Sequence, residues 1–297
     1  FIAWGKCRSN AAAYPRSMTR LLPRLALANL IAQAGIIVTG VAVRATGSGL
    51  GCPTWPQCTP GSYTPTVEQP EAWHKYVEFG NRTLTFLLVV FALATLLAVY
   101  LGRRTDGRAV QLAWVPFLGT FAQALLGGIT VRVGLNPYSV MAHFLLSLPL
   151  IAASYFLWLH LCGPQESRAR EHNPLVRALL YSGLFVLVLG TITTGSGPHS
   201  GDAAHPTRFG LDPAVMTWVH AAAVALFAGL AIGVWAATKE SHPKLAKAAR
   251  GTLHIVGAQA IVGVAQYLLA LPSWMLIVHA GLAAWFWIAV LKVQANA

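Results

Sequence analysis

The chain has 297 residues, of which 56% are hydrophobic and only 10% charged, with a mean hydropathy of +0.57. Soluble domains carry about a quarter charged residues, so this composition excludes a water-soluble fold and points to an all-α polytopic membrane protein. The net charge of +12 does not indicate nucleic acid, because the cations fall in clusters between apolar runs without aromatic interleaving.

Eight apolar stretches of roughly 20 residues are long enough to cross a ~30 Å hydrocarbon core as helices. In chain order they run near Leu25–Val43, Thr83–Leu101, Val110–Val131, Pro137–Leu161, Leu175–Thr194, Pro213–Ala237, Leu253–Leu271 and Ser273–Val293. Lys6, Arg8, Arg16 and Arg20 precede the first, and Arg103, Arg104 and Arg108 come after the second. Arg168, Arg170 and Arg177 come after the fourth; Lys239, Lys244, Lys247 and Arg250 come after the sixth. Every second connection is therefore basic, and the positive-inside rule places both termini in the cytoplasm. The expected division is a cytoplasmic segment 1–24, a four-helix half 25–161, a cytoplasmic linker 162–174 and a second four-helix half 175–297. The first 24 residues contain no acid, which is compatible with a truncated start or a targeting remnant.

The connection from Arg44 to about Lys75 is the longest and falls outside. It holds Cys52 and Cys58 around Pro53, Trp55 and Pro56, and an oxidising compartment favours a disulfide between them. Whether that bond only shapes the loop or enters the chemistry is left open by the sequence. Cys7 and Cys162 fall on the reducing side and are expected as thiols.

The third and fourth stretches recur in the seventh and eighth. Ala122-Gln123-Ala124-Leu125-Leu126-Gly127 precedes His143, and Ala258-Gln259-Ala260-Ile261-Val262-Gly263 precedes His279, 136 positions on in each case. Ala45-Thr46-Gly47-Ser48-Gly49 likewise matches Thr193-Thr194-Gly195-Ser196-Gly197, and Asn81 falls opposite His220. A duplicated unit with an even number of spans inserts both copies in the same orientation, giving two tandem pseudo-symmetric bundles. His143, His220 and His279 then lie about 10 Å in from the outer helix ends, at 1.5 Å per residue. Two imidazoles across a bundle core, His220 and His279, suit the axial positions of a haem iron, although an intramembrane histidine also serves as helix glue. His254 is expected to pack, His160 to cap a helix or meet solvent, and His199, His205 and Asp202 to lie in a mobile outer loop rather than at a metal.

Thr46-Gly47-Ser48-Gly49-Leu50-Gly51-Cys52-Pro53-Thr54-Trp55-Pro56-Gln57-Cys58, then Glu78-Phe79-Gly80-Asn81-Arg82 and the later His143, His220 and His279, resemble the haem A synthase family over nearly the whole chain. The resemblance implies an oxidoreductase that converts the C8 methyl of haem O to the formyl of haem A for an aa3-type cytochrome oxidase. It implies that His220 and His279 ligate a haem b, that His143 ligates the substrate haem iron, and that Glu78 is the functional carboxylate. Glu78 also stands four residues before Arg82, a spacing that pairs side chains on one helix face.

This chain departs from the family at Asn81, where an axial histidine is expected. The substrate haem is then five-coordinate through His143 unless another group approaches, and His74, two turns higher, is the nearest imidazole in sequence. Arg44, Arg82 and Arg132 stand near outer helix ends of the first half only, placed to grip haem propionates or to snorkel to the interface. The resemblance further implies contact with the protohaem farnesyltransferase (haem O synthase), oxidase assembly factors and membrane lipid, with homo-oligomers admitted and nucleic acid not. It implies the plasma membrane, or the mitochondrial inner membrane in a eukaryote. A non-catalytic dihaem electron carrier linked to quinone and a parallel-repeat transporter are the other classes that this pattern admits.

Overall fold

The computed structural model describes residues 16–103, 105–162, 173–202 and 205–297. Lys6, Cys7, Arg8, Arg104, Arg168 and Arg170 lie outside the described residues. Eight helices run in order: α1 (Arg16–Ala45), α2 (His74–Arg103), α3 (Gly107–Arg132), α4 (Pro137–Cys162), α5 (Pro174–Ser196), α6 (Pro213–Thr238), α7 (Pro243–Leu268) and α8 (Ser273–Ala295). The described residues contain only isolated β-bridges.

Seven of these helices are long and apolar enough to cross a membrane. The exception is α7, where a span over Leu253–Leu271 is expected from the sequence: it matches α3 in length, but His254, Gln259 and Gln266 dilute its apolar part and Lys244, Lys247 and Arg250 crowd its start. Phe86, Ile261 and Leu268 are each more than 70% exposed. Large side chains this bare, spread over most helices, exceed what a water-soluble surface tolerates and mark a lipid-facing belt. Two starts differ from those that hydropathy predicts. Helix α1 begins at Arg16 and runs through Pro23, and α2 begins at His74, so that Glu78, Asn81 and Arg82 all lie within it.

Local chemistry sets the ends. Asp106 accepts from the Ala109 N–H at the start of α3, while Asn173 and Asp212 accept from the second and third N–H groups of α5 and α6, each ahead of a proline at the first position. These are N-caps that satisfy otherwise orphaned donors. Helices α3 and α7 stop the same way: Gly134 and Leu135 take φ of 61° and 55°, and Ala270 and Leu271 take 59° and 61°. The Leu135 N–H returns to the Thr130 carbonyl at 2.9 Å and the Leu271 N–H to Gln266 at 2.8 Å, closing both helices with a left-handed turn.

In the first half α1 packs on α2 and α4, and α3 packs on α2 and α4; in the second, α5 packs on α6 and α8, and α7 on α6 and α8. Helices α1, α4, α5 and α8 join the halves. The larger core runs through this junction, with Leu30, Ile151, Phe227 and Val290 almost wholly buried. Polar side chains fasten it inside the apolar layer. Asn29 Nδ2 donates to Ser154 Oγ at 3.1 Å, Gln33 Nε2 to Thr120 Oγ1 at 3.2 Å, and Trp287 Nε1 to the Leu148 carbonyl at 2.9 Å. Such bonds matter where lipid offers no competing partner.

Two expectations need correction. Cys162 is disulfide-bonded rather than a thiol, since topology assigns a cysteine to a compartment but does not reveal its neighbours. His254 is exposed rather than packed, because it lies two residues from buried Thr252 and so on the opposite side of α7. His160 pairs with Asp106, Nε2 to Oδ2 at 2.8 Å, and ties the end of α4 to the cap of α3.

Phe227 is 1% exposed, meets Phe286 edge-on at 4.8 Å and lies against Gly183. Phe227→Ala should lower stability by about 3–5 kcal/mol through the cavity it leaves, measured as a fall in the unfolding midpoint in detergent.

Candidate functional site

Three histidines share one local construction. His143 on α4 lies against Gly127 on α3, where a Cβ would stand 3.2 Å from Cε1. His220 on α6 lies against Gly190 on α5 at 3.2 Å, and His279 on α8 against Gly263 on α7 at 3.5 Å. Glycine lets each ring approach the neighbouring backbone closely, as small residues do between membrane helices. Gln123 Nε2 donates to the His143 carbonyl at 3.0 Å and Gln259 Nε2 to the His279 carbonyl at 3.1 Å. The same contact therefore recurs at the 136-residue offset. These glutamines and glycines belong to the repeated runs, but hydropathy gives them no task; their equal spacing from the histidines is the signal that marks them.

Each of these rings has an Nδ1 that is sealed from solvent and has no hydrogen-bond partner. Buried polar atoms are nearly always satisfied, so three orphaned imidazole nitrogens at corresponding places suggest that the rings are built for something beyond the protein. His220 and His279 stand on α6 and α8, which both pack on α5 and α7. Neutral imidazoles held in an apolar bundle are the donor type that haem iron takes, and the residues present fit that group.

The first half differs at the position of His220. There Asn81 accepts from Thr39 Oγ1 at 2.8 Å. His74, the neighbouring imidazole in sequence, is spent on the loop: its Nδ1 lies 2.8 Å from Ser48 Oγ and its ring stacks on Trp73.

A loop closes the expected outer end of the first half. Cys52 and Cys58 form a disulfide, and Glu78 and Arg82 hold the segment between them. Glu78, 5% exposed, takes the Cys52 N–H on Oε2 at 2.7 Å and Arg82 Nη2 on Oε1 at 2.6 Å. Arg82 in turn donates to the carbonyls of Cys52, Thr54 and Gln57. The Trp55 ring lies on α3, where a Cβ on Gly128 would collide with it, and Arg132 donates to the Trp55 carbonyl at 2.9 Å. Gly51 admits no side chain either, since a Cβ would run into the His74 carbonyl.

This loop also reaches the second half. Arg44 Nε donates to the His199 carbonyl at 2.7 Å and Nη2 to Thr194 at 3.1 Å, and the Gly49 N–H donates to Gly201 at 2.8 Å. His199 Nε2 lies 2.7 Å from the Leu271 carbonyl, and His205 is exposed. The structure thus brings Arg44, Glu78, Arg82 and Arg132 to one end, each committed to loop or backbone atoms. Of the three arginines, Arg132 is the exposed one.

A family model described as cytochrome oxidase assembly protein, COX15-CtaA, matches residues 23–291. A protein named haem A synthase from Geobacillus kaustophilus (strain HTA426) is 32% identical over 129 residues, which is 42% of this chain and 38% of that protein. The corresponding protein of Geobacillus thermodenitrificans is 30% identical over the same shares, and that of Listeria monocytogenes serotype 4a (strain HCC23) is 28% identical over 47% of this chain and 45% of its own. The matched stretch thus spans under half the length of these curated relatives.

Replacing Arg82 by Ala leaves the buried Glu78 carboxylate with one donor and releases three loop carbonyls. Breaking a buried ion pair on one side costs about 3–5 kcal/mol. We expect the Cys52–Cys58 bond of Arg82→Ala to be reduced faster by dithiothreitol than that of the parent, monitored by thiol labelling.

Proposed function

The chain belongs to the COX15-CtaA family of cytochrome oxidase assembly proteins, and from that membership and the placement of its histidines we propose that it is a haem A synthase. It oxidises the C8 methyl of haem O to the formyl of haem A, destined for an aa3-type oxidase. What carries this reading is the pair His220 and His279, each lying against a glycine of the neighbouring helix and each with an unpartnered Nδ1.

In this reading the halves 25–161 and 175–297 are pseudo-symmetric four-helix bundles. The two rings of helix packing and the repeated glutamine and glycine contacts support that division. His220 and His279 hold a haem b, which when bound supplies one-electron transfer. His143 holds the iron of the substrate haem O in the first bundle. A substrate-bearing first half and an electron-handling second half also account for the asymmetry in charge: Glu78, Arg82 and Arg132 have no charged counterparts at Thr217, Ala221 and Leu268.

Glu78 is the proposed catalytic carboxylate. An ionised carboxylate has about four acceptor positions, and Cys52 N and two Arg82 nitrogens occupy three. The remaining position is available to take a proton as the methyl is oxidised. The loop with Trp55 covers this end and excludes water. Arg132, with donors beyond its bond to Trp55, is the best placed of the three arginines for a propionate; Arg44 and Arg82 would reach one only with the donors their carbonyl partners leave. The basic connections support a topology with both termini in the cytoplasm and the disulfide loop outside, in a plasma membrane or the mitochondrial inner membrane. Haem O synthase and oxidase assembly factors are the expected partners.

Two outcomes check this reading. His279→Ala should lose about one equivalent of haem from the purified protein and keep the other, measured as pyridine haemochrome. Glu78→Gln should retain both haems but cut conversion of haem O to haem A by about a hundredfold or more, measured by chromatography of haems extracted from cells. Undiminished conversion in Glu78→Gln would remove the carboxylate from the mechanism.

A further inference from the structure

We propose that Asn81 is a hydrogen-bond donor facing the open side of the His143 iron site, and that Thr39 locks it in that role. This rests on the proposed substrate-haem site of the first half and adds to it the group that works opposite His143.

Asn81 takes the place that His220 occupies in the second half, and His143 the place of His279. Helix α2 packs on α1 and α3, and α4 packs on the same two, so the helices bearing Asn81 and His143 stand across the bundle from each other. An amide is a poor iron ligand, and its side chain is already committed at one end. Thr39 Oγ1 lies 2.8 Å from Asn81 Oδ1 and 3.2 Å from the Ile36 carbonyl. A hydroxyl has one proton, and the shorter contact places it on Oδ1. The amide oxygen is then fixed toward α1, and Nδ2, which makes no hydrogen bond among the described residues, is turned away from it.

The hydroxyl and the amide occur together. By the match of Thr46 with Thr194, the position of Thr39 in the second half is Leu187, which is buried and offers no hydroxyl. Where the ring is histidine the partner is apolar; where it is asparagine the partner is a hydroxyl that orients it. A bond serving only to glue α1 to α2 would need no particular end of the amide to point elsewhere. A donor beside an open iron position favours small anionic or polar ligands there, since distal donors set what such a site binds.

The test uses purified, haem-loaded protein with carbon monoxide on the reduced form and cyanide on the oxidised form. A site closed by two imidazoles takes up neither readily, so both probes report the first half. The parent should bind carbon monoxide at one haem. Asn81→Leu should keep its haem, raise the C–O stretching frequency and weaken cyanide binding about tenfold, as loss of one hydrogen bond to a charged ligand requires. Asn81→His should abolish carbon monoxide binding by closing the site. Thr39→Val should shift the frequency in the same direction by less, and it keeps the test decisive if Asn81→Leu does not fold. An unchanged frequency and cyanide affinity in Asn81→Leu, with haem retained, would overturn the role of Asn81 and leave the haem site standing. A lowered frequency would show that the amide oxygen faces the iron and would overturn the donor assignment. Absence of carbon monoxide binding in the parent, with both haems present, would overturn the open site itself.

Discussion

The close approach of an imidazole on one helix to a glycine on the next governs how both halves of the protein are assembled. At Gly127 and Gly190 a Cβ would stand 3.2 Å from the histidine ring, closer than side chains ordinarily pack, and at Gly263 it would stand in ordinary contact at 3.5 Å. In two of these pairs a glutamine one turn away grips the histidine's own carbonyl. That bond draws the two helices together at the depth of the ring, where lipid cannot replace it. The Nδ1 of each ring is left without a hydrogen-bond partner.

The two bundles differ in what surrounds this shared frame. At the expected outer end of the first, an ion pair on α2 holds a disulfide loop by its carbonyls, and Arg44 at the end of α1 reaches Thr194 on α5 and His199 in the connection after it. The second has neither acid nor arginine at the matching places. A buried carboxylate and its arginine partner set among apolar helices are costly to keep in a membrane. Their confinement to one half supports a division in which that half handles the substrate.

The repeat, the helix order and the histidine positions are legible in the sequence because a fixed offset and a 20-residue apolar length both leave one-dimensional traces. The disulfide between Cys52 and Cys58 is legible from spacing and compartment. What the sequence hides is directional. Hydropathy begins the second span at Thr83 because Glu78, Asn81 and Arg82 interrupt its apolar run, yet these polar groups face loop and bundle and the helix continues through them to His74. It makes α7 a membrane span like the rest, although its polar residues leave it short of the others. A lone histidine such as His254 carries no facing information, and the state of Cys162 is set by a tertiary contact that its position in the chain does not reveal. Thr39 is silent because one threonine in an apolar helix has no sequence signature; only the contact with Asn81 gives it meaning.

The proposed haem sites, one closed by two histidines and one open, are tested most directly by an experimental structure of the haem-loaded protein. That structure should show one iron between His220 and His279 and a second iron held by His143 with no protein ligand on its other face, Asn81 standing beside that face. A second iron ligated by protein on both sides, or no haem between His220 and His279, would contradict it.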